Sequence, residues 1–485
     1  MSSNLYDGFY IDGAWSRPSS PEVVEVVSAS TEELVGTAPV GANGDIDAAV
    51  AAARRAFDDP NGWQHWSRVA RADAMESLAD ALDSRSGEMA RRVATQNGMP
   101  VSVANGFEGA FPQTVLRYYA ALIRETDLEE TRQGLLGGRI RVRRLPVGVV
   151  GAIVPWNFPQ TLAAFKLGPA LALGCTLVIK PSPETVWDAH LFAEAVHESS
   201  IPDGVINIVP GGREIGAHLV AHPGVDKIAF TGSTAAGRKV AQTCGRLLRP
   251  VTLELGGKSA AIVLDDADLN TQMRAMFDAT MINNGQTCYL GTRVLAPRSR
   301  YDEVLDALTT FVGELQVGDA LDPGTEIGPL ASAGQRDRVE SYIESGRDSG
   351  FTITTGGGRP KGLDRGWFVE PTIFANVDNT ASIARDEIFG PVLVVIQYDD
   401  IDDAVAIAND SEFGLGGSVW STDAERGESV ARRILTGTVG VNNFLSDPVA
   451  PFGGIKSSGI GRELGPEGLV SYQNLQSIYL DGGGN

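Results

Sequence analysis

Between Val147 and about Arg246 the chain alternates apolar, β-type runs with helix-compatible stretches, and no other feature narrows its fold so far. The runs are Val149–Val154, Thr176–Ile179, Val205–Val209 and Lys227–Phe230. Each is followed by Pro or Gly and then by a helix-compatible segment such as Leu162–Leu173 or Ala235–Cys244. Alternation of this kind produces βαβ units and a parallel sheet. Ligands bind such sheets at the carboxyl ends of the strands, so a cofactor is expected at the turns that follow these four runs.

At 485 residues the chain exceeds what one hydrophobic core usually supports, and further units are expected on either side. Asp45–Asp59 reads as a capped helix, and two longer helical stretches up to Arg124 would cover the sheet. Arg139–Pro146 alternates charged and apolar residues at the strand period after the turn-prone Gly137-Gly138, as an exposed ribbon needing a partner does. A second α/β region runs from about Ser259 to Ser458, with helices near Asp302–Leu315 and Gln335–Ser345 and a Gly-rich link at Gly356–Gly358. Asn474–Leu480 reads as a strand able to pair with the ribbon, including across a subunit boundary, because unpaired edges promote association. Gly482–Asn485 reads as a loose tail.

Composition removes several classes of function. A net charge of −21 repels phosphate backbones and anionic membrane surfaces, so neither nucleic acid nor membrane is an expected partner. No apolar run approaches the roughly 20 residues that cross a bilayer, and the start lacks a basic region followed by an apolar stretch; a cytoplasmic protein is expected. Three cysteines without CxxC spacing fit a reducing compartment. The five histidines show no HExxH spacing, and His218 and His222, at i, i+4, lie far in sequence from any obvious carboxylate ligand, so no metal site is expected.

Chemistry concentrates in Val154-Pro-Trp-Asn-Phe-Pro159, Phe230-Thr-Gly-Ser-Thr234, Leu253-Glu-Leu-Gly-Gly-Lys258 with Gly285-Gln-Thr-Cys288, and Glu387-Ile-Phe-Gly-Pro391. A fifth segment, Pro451-Phe-Gly-Gly-Ile-Lys-Ser-Ser-Gly459, continues to Gly461-Arg-Glu-Leu-Gly465. In order and spacing these segments resemble the NAD(P)-dependent aldehyde dehydrogenase superfamily over nearly the whole chain. The resemblance implies an α/β, aldehyde dehydrogenase-like fold. Residues 1–124 and 147–256 would form a Rossmann-type parallel-sheet cofactor domain, 257–458 a second α/β catalytic domain, and 125–146 with 459–485 a small β oligomerisation arm and C-terminal strand. A homodimer or homotetramer is the expected assembly.

Cys288 is the candidate nucleophile, since sulfur adds readily to an aldehyde carbon and local positive charge can favour its thiolate. A free cysteine is otherwise usually a small buried hydrophobe, the reading kept for Cys175 and Cys244. Glu254 is either a helix-start or surface carboxylate or the general base that activates water against a thioester. Relatives that pass the acyl group to coenzyme A typically lack this glutamate, so the resemblance favours the base and an acid product. Gly257-Lys258-Ser259 imitates the tail of a P-loop, but Thr252 stands at the earlier glycine position, which removes that reading. Asn157 is a turn residue after Pro155 whose amide N–H can also stabilise an oxyanion; in the family this asparagine and the backbone N–H of the cysteine do so. Lys166 matches a family lysine linked to proton transfer, with a helix-surface lysine as the alternative. Glu463 matches a family glutamate near the water path.

For the cofactor, Lys227–Ser233 runs from a strand into a glycine turn at a helix start, where free N–H groups and the helix dipole favour pyrophosphate, although Gly232 and Gly237 do not make a GxGxxG fingerprint. The resemblance assigns Gly232, Ser233 and Leu255 to this loop region, Trp156, Lys180, Ser182 and Gly212 to the adenosine side, and Glu387 and Phe389 to the nicotinamide ribose. Phe389 has core packing as its alternative. The family position that often carries a glutamate for the adenosine 2′-hydroxyl is Pro183 here, with Glu184 one place later. A carboxylate there would bond NAD and repel the phosphate of NADP, so NAD is expected and NADP stays open.

The implied reaction is oxidation of an aldehyde to a carboxylic acid with reduction of NAD, through a Cys288 thiohemiacetal and a thioester hydrolysed by water activated by Glu254. Phe158, Thr161, Leu162 and Phe165 follow Asn157 on the helix expected to enter the substrate channel, with Tyr289 and Phe452 as aromatic walls. Such a channel suits an apolar aldehyde better than a semialdehyde, whose carboxylate would want a fixed arginine; Arg293 is the nearest candidate. The alternatives are a coenzyme A-acylating dehydrogenase, an NADP-preferring semialdehyde dehydrogenase, and a non-catalytic protein on this scaffold, the last expected to have lost Cys288 or Glu254.

Overall fold

The computed structural model describes residues 6–480, and in it the four apolar runs become the strands Val149–Ile153, Thr176–Lys180, Ile206–Ile208 and Lys227–Thr231, every residue of them buried. They are mutually parallel, and Val251–Glu254 adds a fifth parallel strand beside Lys227–Thr231. Two antiparallel edges complete an eight-stranded sheet: Phe9–Ile11 with Ala14–Ser16 on one side, and Gly459–Ile460 on the other. The second edge matters for function because it returns the late segment around Glu463 to the sheet that carries Glu254.

The helix Pro159–Leu173 has all its residues buried. It is apolar all round because it lies between the sheet and the helices Arg68–Asp83 and Phe111–Glu125. The expected helix at Asp45–Asp59 spans Asn43–Asp58. The two longer helices expected up to Arg124 are four: Arg68–Asp83, Ser86–Asn97, Val101–Phe107 and Phe111–Glu125. Gly98 ends one of them in the left-handed conformation, φ 76°, and Pro100 caps the next. A ribbon of Val23–Val27 and Leu34–Pro39 was not among the expected elements.

The second region forms a seven-stranded sheet in the order Thr352–Thr355, Thr372–Ala375, Val392–Tyr398, Arg293–Pro297, Ala260–Val263, Ser418–Trp420, Gly440–Val441. Only the first of these runs antiparallel to its neighbour. The helices expected near Asp302–Leu315 and Gln335–Ser345 are Tyr301–Gly313 and Ala333–Asp348.

Arg139–Pro146 finds partners on both sides, Glu129–Gln133 and Gln473–Leu480, in a continuous antiparallel register from Gln473↔Pro146 to Leu480↔Arg139. The ribbon and last strand therefore pair as expected, here within one chain. Buried Tyr472, whose carbonyl accepts from Val147 N at 2.9 Å, fixes the last strand beside its partner. The Gly482–Asn485 tail lies outside the described residues.

Candidate active site

Cys288 sits in the loop between the helix Leu269–Thr280 and the strand Arg293–Pro297. Three consecutive residues of that loop, Asn283, Asn284 and Gly285, are left-handed at φ 54°, 59° and 73°. Asparagine tolerates this conformation better than most residues, and a Cβ at Gly285 would collide with the Gly390 carbonyl. The buried Asn284 amide donates to the carbonyls of Gly98 and Pro329 at 2.8 Å each and accepts from Gly328 N at 2.6 Å. Asn157 is joined to the same loop: its Nδ2 donates to Gln286 O at 2.9 Å, and Asn283 Nδ2 donates to Asn157 O at 3.1 Å.

Cys288 and Asn157 open into one cavity, together with the predicted Phe158, Leu162, Phe165, Tyr289 and Phe452. Ring contacts run Phe165 to Phe452 at 6.0 Å and Phe452 to Tyr289 at 6.4 Å, both edge-to-face. Sequence reasoning missed Phe107, Phe111 and Ser446, which also line it. Phe107 and Phe111 lie on either side of a helix break, where an i, i+4 aromatic pair reads as ordinary core. Among the described residues, no charged side chain lines this cavity.

Behind the sulfur the surroundings are ionic. Glu254, at the end of its strand, is 1% exposed, and neither carboxylate oxygen has a hydrogen-bond partner among the described residues. Burial, then the neighbouring Glu463, push its carboxyl well above the ordinary range, against the pull of Lys166 and Arg462. Glu463 and Lys166 are both fully buried, 2.9 Å apart. The Lys166 ammonium also donates to Thr231 Oγ1 at 2.6 Å, so it is not a helix-surface lysine. Cys288 itself is held protonated: burial first, then the charges of Glu387 and Glu254, push its thiol above the usual value.

The predicted cofactor residues line the carboxyl ends of the first sheet. Ser233 caps the helix Thr234–Arg246, its hydroxyl accepting from Ala236 N, and Gly232 precedes it. Gly237 lets that helix close on Leu255, whose side chain is 6% exposed and packs in the core. Lys180 Nζ donates to the carbonyls of Pro181 and Gly211, and burial lowers it to about 8. Gly212 begins the helix Arg213–Ala221. Pro183 opens a short turn, and the Ser182 hydroxyl donates to Glu184, an exposed carboxylate. On the far side the partly exposed rings of Trp156 and Phe389 meet edge-to-face at 5.4 Å, so Phe389 is not simply core. Glu387 Oε1 accepts from Gly257 N at 3.1 Å, and burial raises its carboxyl to about 7.

Two expectations need correction. Arg293 is buried, spends four of its five N–H groups on Lys258 O, Asn379 Oδ1, Ile407 O and Ala408 O, and does not line the Cys288 cavity where a substrate carboxylate would need it. His218 and His222 do have a carboxylate beside them: Asp47 Oδ1 lies 2.6 and 3.4 Å from their Nε2 atoms. Gly224 N donates to His222 Nδ1 at 3.0 Å, which puts the neutral ring's proton on Nε2, facing Asp47. The trio is a hydrogen-bonded cluster in this arrangement.

Residues 15–478 match the sequence profile of the aldehyde dehydrogenase family. The chain is 55% identical over 473 residues to geranial dehydrogenase from Castellaniella defragrans, covering 98% of each protein. A Mycobacterium tuberculosis aldehyde dehydrogenase complexed with NAD+ superposes with TM-score 0.97 at 46% identity, over 100% of both chains. A mutant of aldehyde dehydrogenase C from Pseudomonas syringae, in complex with NAD+ and octanal, gives TM-score 0.94 at 39% identity over 99% of this chain and 98% of that one. The chain therefore belongs to the aldehyde dehydrogenase family and is an NAD(P)-dependent aldehyde dehydrogenase.

Proposed function

We propose that this enzyme oxidises apolar aldehydes to carboxylic acids with NAD as acceptor, through a thioester on Cys288. One observation carries the reading: the cavity that holds Cys288 and Asn157 is walled mostly by aromatic and aliphatic side chains, with the hydroxyls of Thr161, Thr287 and Ser446 and no charge among them. The relatives that act on geranial and hold octanal support the substrate class.

The residues present fit a dinucleotide, with a capped helix at a strand end for the pyrophosphate and the Trp156–Phe389 pair beside Glu387 for the nicotinamide end. NAD, when bound, supplies the hydride acceptor and a positive ring charge. Cys288 gives up its thiol proton to solvent water as Sγ adds to the aldehyde carbon, and Asn157, whose amide keeps one N–H beyond that given to Gln286, donates to the oxyanion that forms. Loss of hydride leaves a thioester on Cys288. Glu254, unpaired and raised in basicity, takes a proton from the water that hydrolyses it, and the buried Glu463–Lys166 pair receives that proton in turn.

The Glu184 carboxylate, beside Ser182 and Lys180, would repel a 2′-phosphate, so NAD is the better cofactor. Turnover with NAD and NADP at equal concentration checks this, and a strong NADP preference would refute it. The buried Glu254 argues against acyl transfer to coenzyme A, and the engaged Arg293 against a semialdehyde specificity. Three free cysteines fit a cytoplasmic, reducing location, and no helix among the described residues is long and apolar enough to cross a membrane. The open edges of the arm sheet and of Gly440–Val441 suit association of copies into a dimer or tetramer. An aldehyde panel followed by NADH absorbance tests the substrate class: octanal should outpace succinic semialdehyde at least about tenfold in kcat/KM. The reverse order would overturn it.

A further inference from the structure

The helix Pro159–Leu173 carries much of the tunnel wall, yet its own start is poorly equipped. Its N-cap residue is Phe158, which offers no side-chain acceptor, and Pro159 has no N–H. The acceptor comes from another element. Glu108, which ends the helix Val101–Phe107 and is 1% exposed, accepts from Gln160 N at 2.8 Å through Oε2 and from Thr161 N at 3.4 Å through Oε1. The Thr161 hydroxyl answers by donating to the carbonyl of Phe107.

This exchange joins the two halves of the tunnel. Phe107 meets Phe158 at 5.4 Å, and Phe111 meets Phe165 at 6.1 Å, both edge-to-face, across the seam that Glu108 ties from behind. Glu108 does not line the cavity. A buried carboxyl is costly to keep: desolvation raises Glu108 to about 8, offset by the Gln160 and Thr161 hydrogen bonds, with Asp188 nearby adding to the rise.

We propose that Glu108 is a positioning residue for substrate selection, setting the spacing of the Phe107–Phe111 wall from the Phe158–Phe165 wall. The proposal rests on the apolar-aldehyde reading above. On this proposal an eight-carbon chain contacts both walls and a two-carbon aldehyde does not. At pH 9, where the Glu108 carboxylate is ionised and both oxygens accept, Glu108→Gln replaces one acceptor by an NH2 group facing an N–H, so the seam should shift, and the assays are run there. The kcat/KM for octanal should fall about tenfold while that for acetaldehyde changes less than about twofold, with KM for NAD unchanged. A purely structural role would lower both aldehydes in parallel, and that result, or an intact ratio, would overturn the proposal. Should Glu108→Gln fail to fold, Glu108→Asp keeps the carboxylate with a shorter reach and should show the same selective loss at smaller size. Failure of both variants to fold would also overturn it, by making Glu108 a folding determinant. The two readings fail differently: without an apolar preference, the wild-type enzyme itself shows no advantage for octanal.

Discussion

On the side of Cys288 that faces the tunnel, rings from Phe107, Phe165, Tyr289 and Phe452 leave nothing charged for a substrate to meet; on the other side Glu254, Glu463 and Lys166 are buried with several oxygens unpaired. Burial acts oppositely in the two places. Around the tunnel it removes apolar surface from water and stabilises the fold while shaping a slot for an apolar chain. Behind the sulfur it costs stability, and what it yields is a carboxylate of raised basicity beside the reacting atom. On the proposed mechanism the first region selects the aldehyde and the second governs how the acyl group leaves. Substitutions in front should therefore move selectivity, and those behind should move turnover.

The largest effect belongs to the atom both regions share. Cys288→Ala should lower aldehyde oxidation by about ten-thousandfold or more while NAD binding, followed by fluorescence titration, stays near wild type. Substantial surviving activity would remove the junction on which the comparison rests. Next comes Glu254→Gln, expected to cut steady-state turnover by about 10²–10⁴-fold yet leave a stopped-flow burst of NADH, because only the step behind the sulfur is lost. A vanished burst would place Glu254 on the wrong side of the contrast.

Charging the tunnel sharpens the comparison from the other direction. Ser446→Arg puts a guanidinium on an apolar wall, and kcat/KM for octanal should drop about tenfold while that for succinic semialdehyde rises. The smallest effect is a displacement in pH. Glu254 acts as base only when ionised, so turnover rises with pH through its raised pKa, and the Glu463 charge is one cause of the rise. Glu463→Gln removes that charge, leaves the Lys166 charge to stabilise the Glu254 carboxylate, and takes away part of the proposed proton acceptor, so the kcat plateau should also fall. The acid limb of the kcat profile should then move down by about one pH unit. A shift upward would contradict the assignment.

The parts of this arrangement legible in the sequence are those written in local pattern. Four runs buried along their whole length announced the parallel sheet, and Asn157 and Cys288, singled out by their flanking segments, line one cavity. What stayed hidden depends on pairs distant in the chain. Glu108 contacts Gln160, Asp47 contacts His218, and Arg293 is spent on carbonyls near residue 407; none of these carries a spacing signal. The break at Ser84-Arg85 was hidden for another reason, since the one nearby glycine, Gly87, lies inside the helix that follows and no proline marks the spot. The upward push on the Cys288 thiol also escaped, because it comes from burial first and then from carboxylates that folding brings near the sulfur.

Intact-protein and peptide mass spectrometry of Glu254→Gln, quenched after mixing with octanal and NAD, tests the central claim most directly. The account expects one octanoyl group per active chain, on the peptide containing Cys288, appearing together with the NADH burst. NADH release with no acyl adduct, or with the adduct on Cys175 or Cys244, would contradict it.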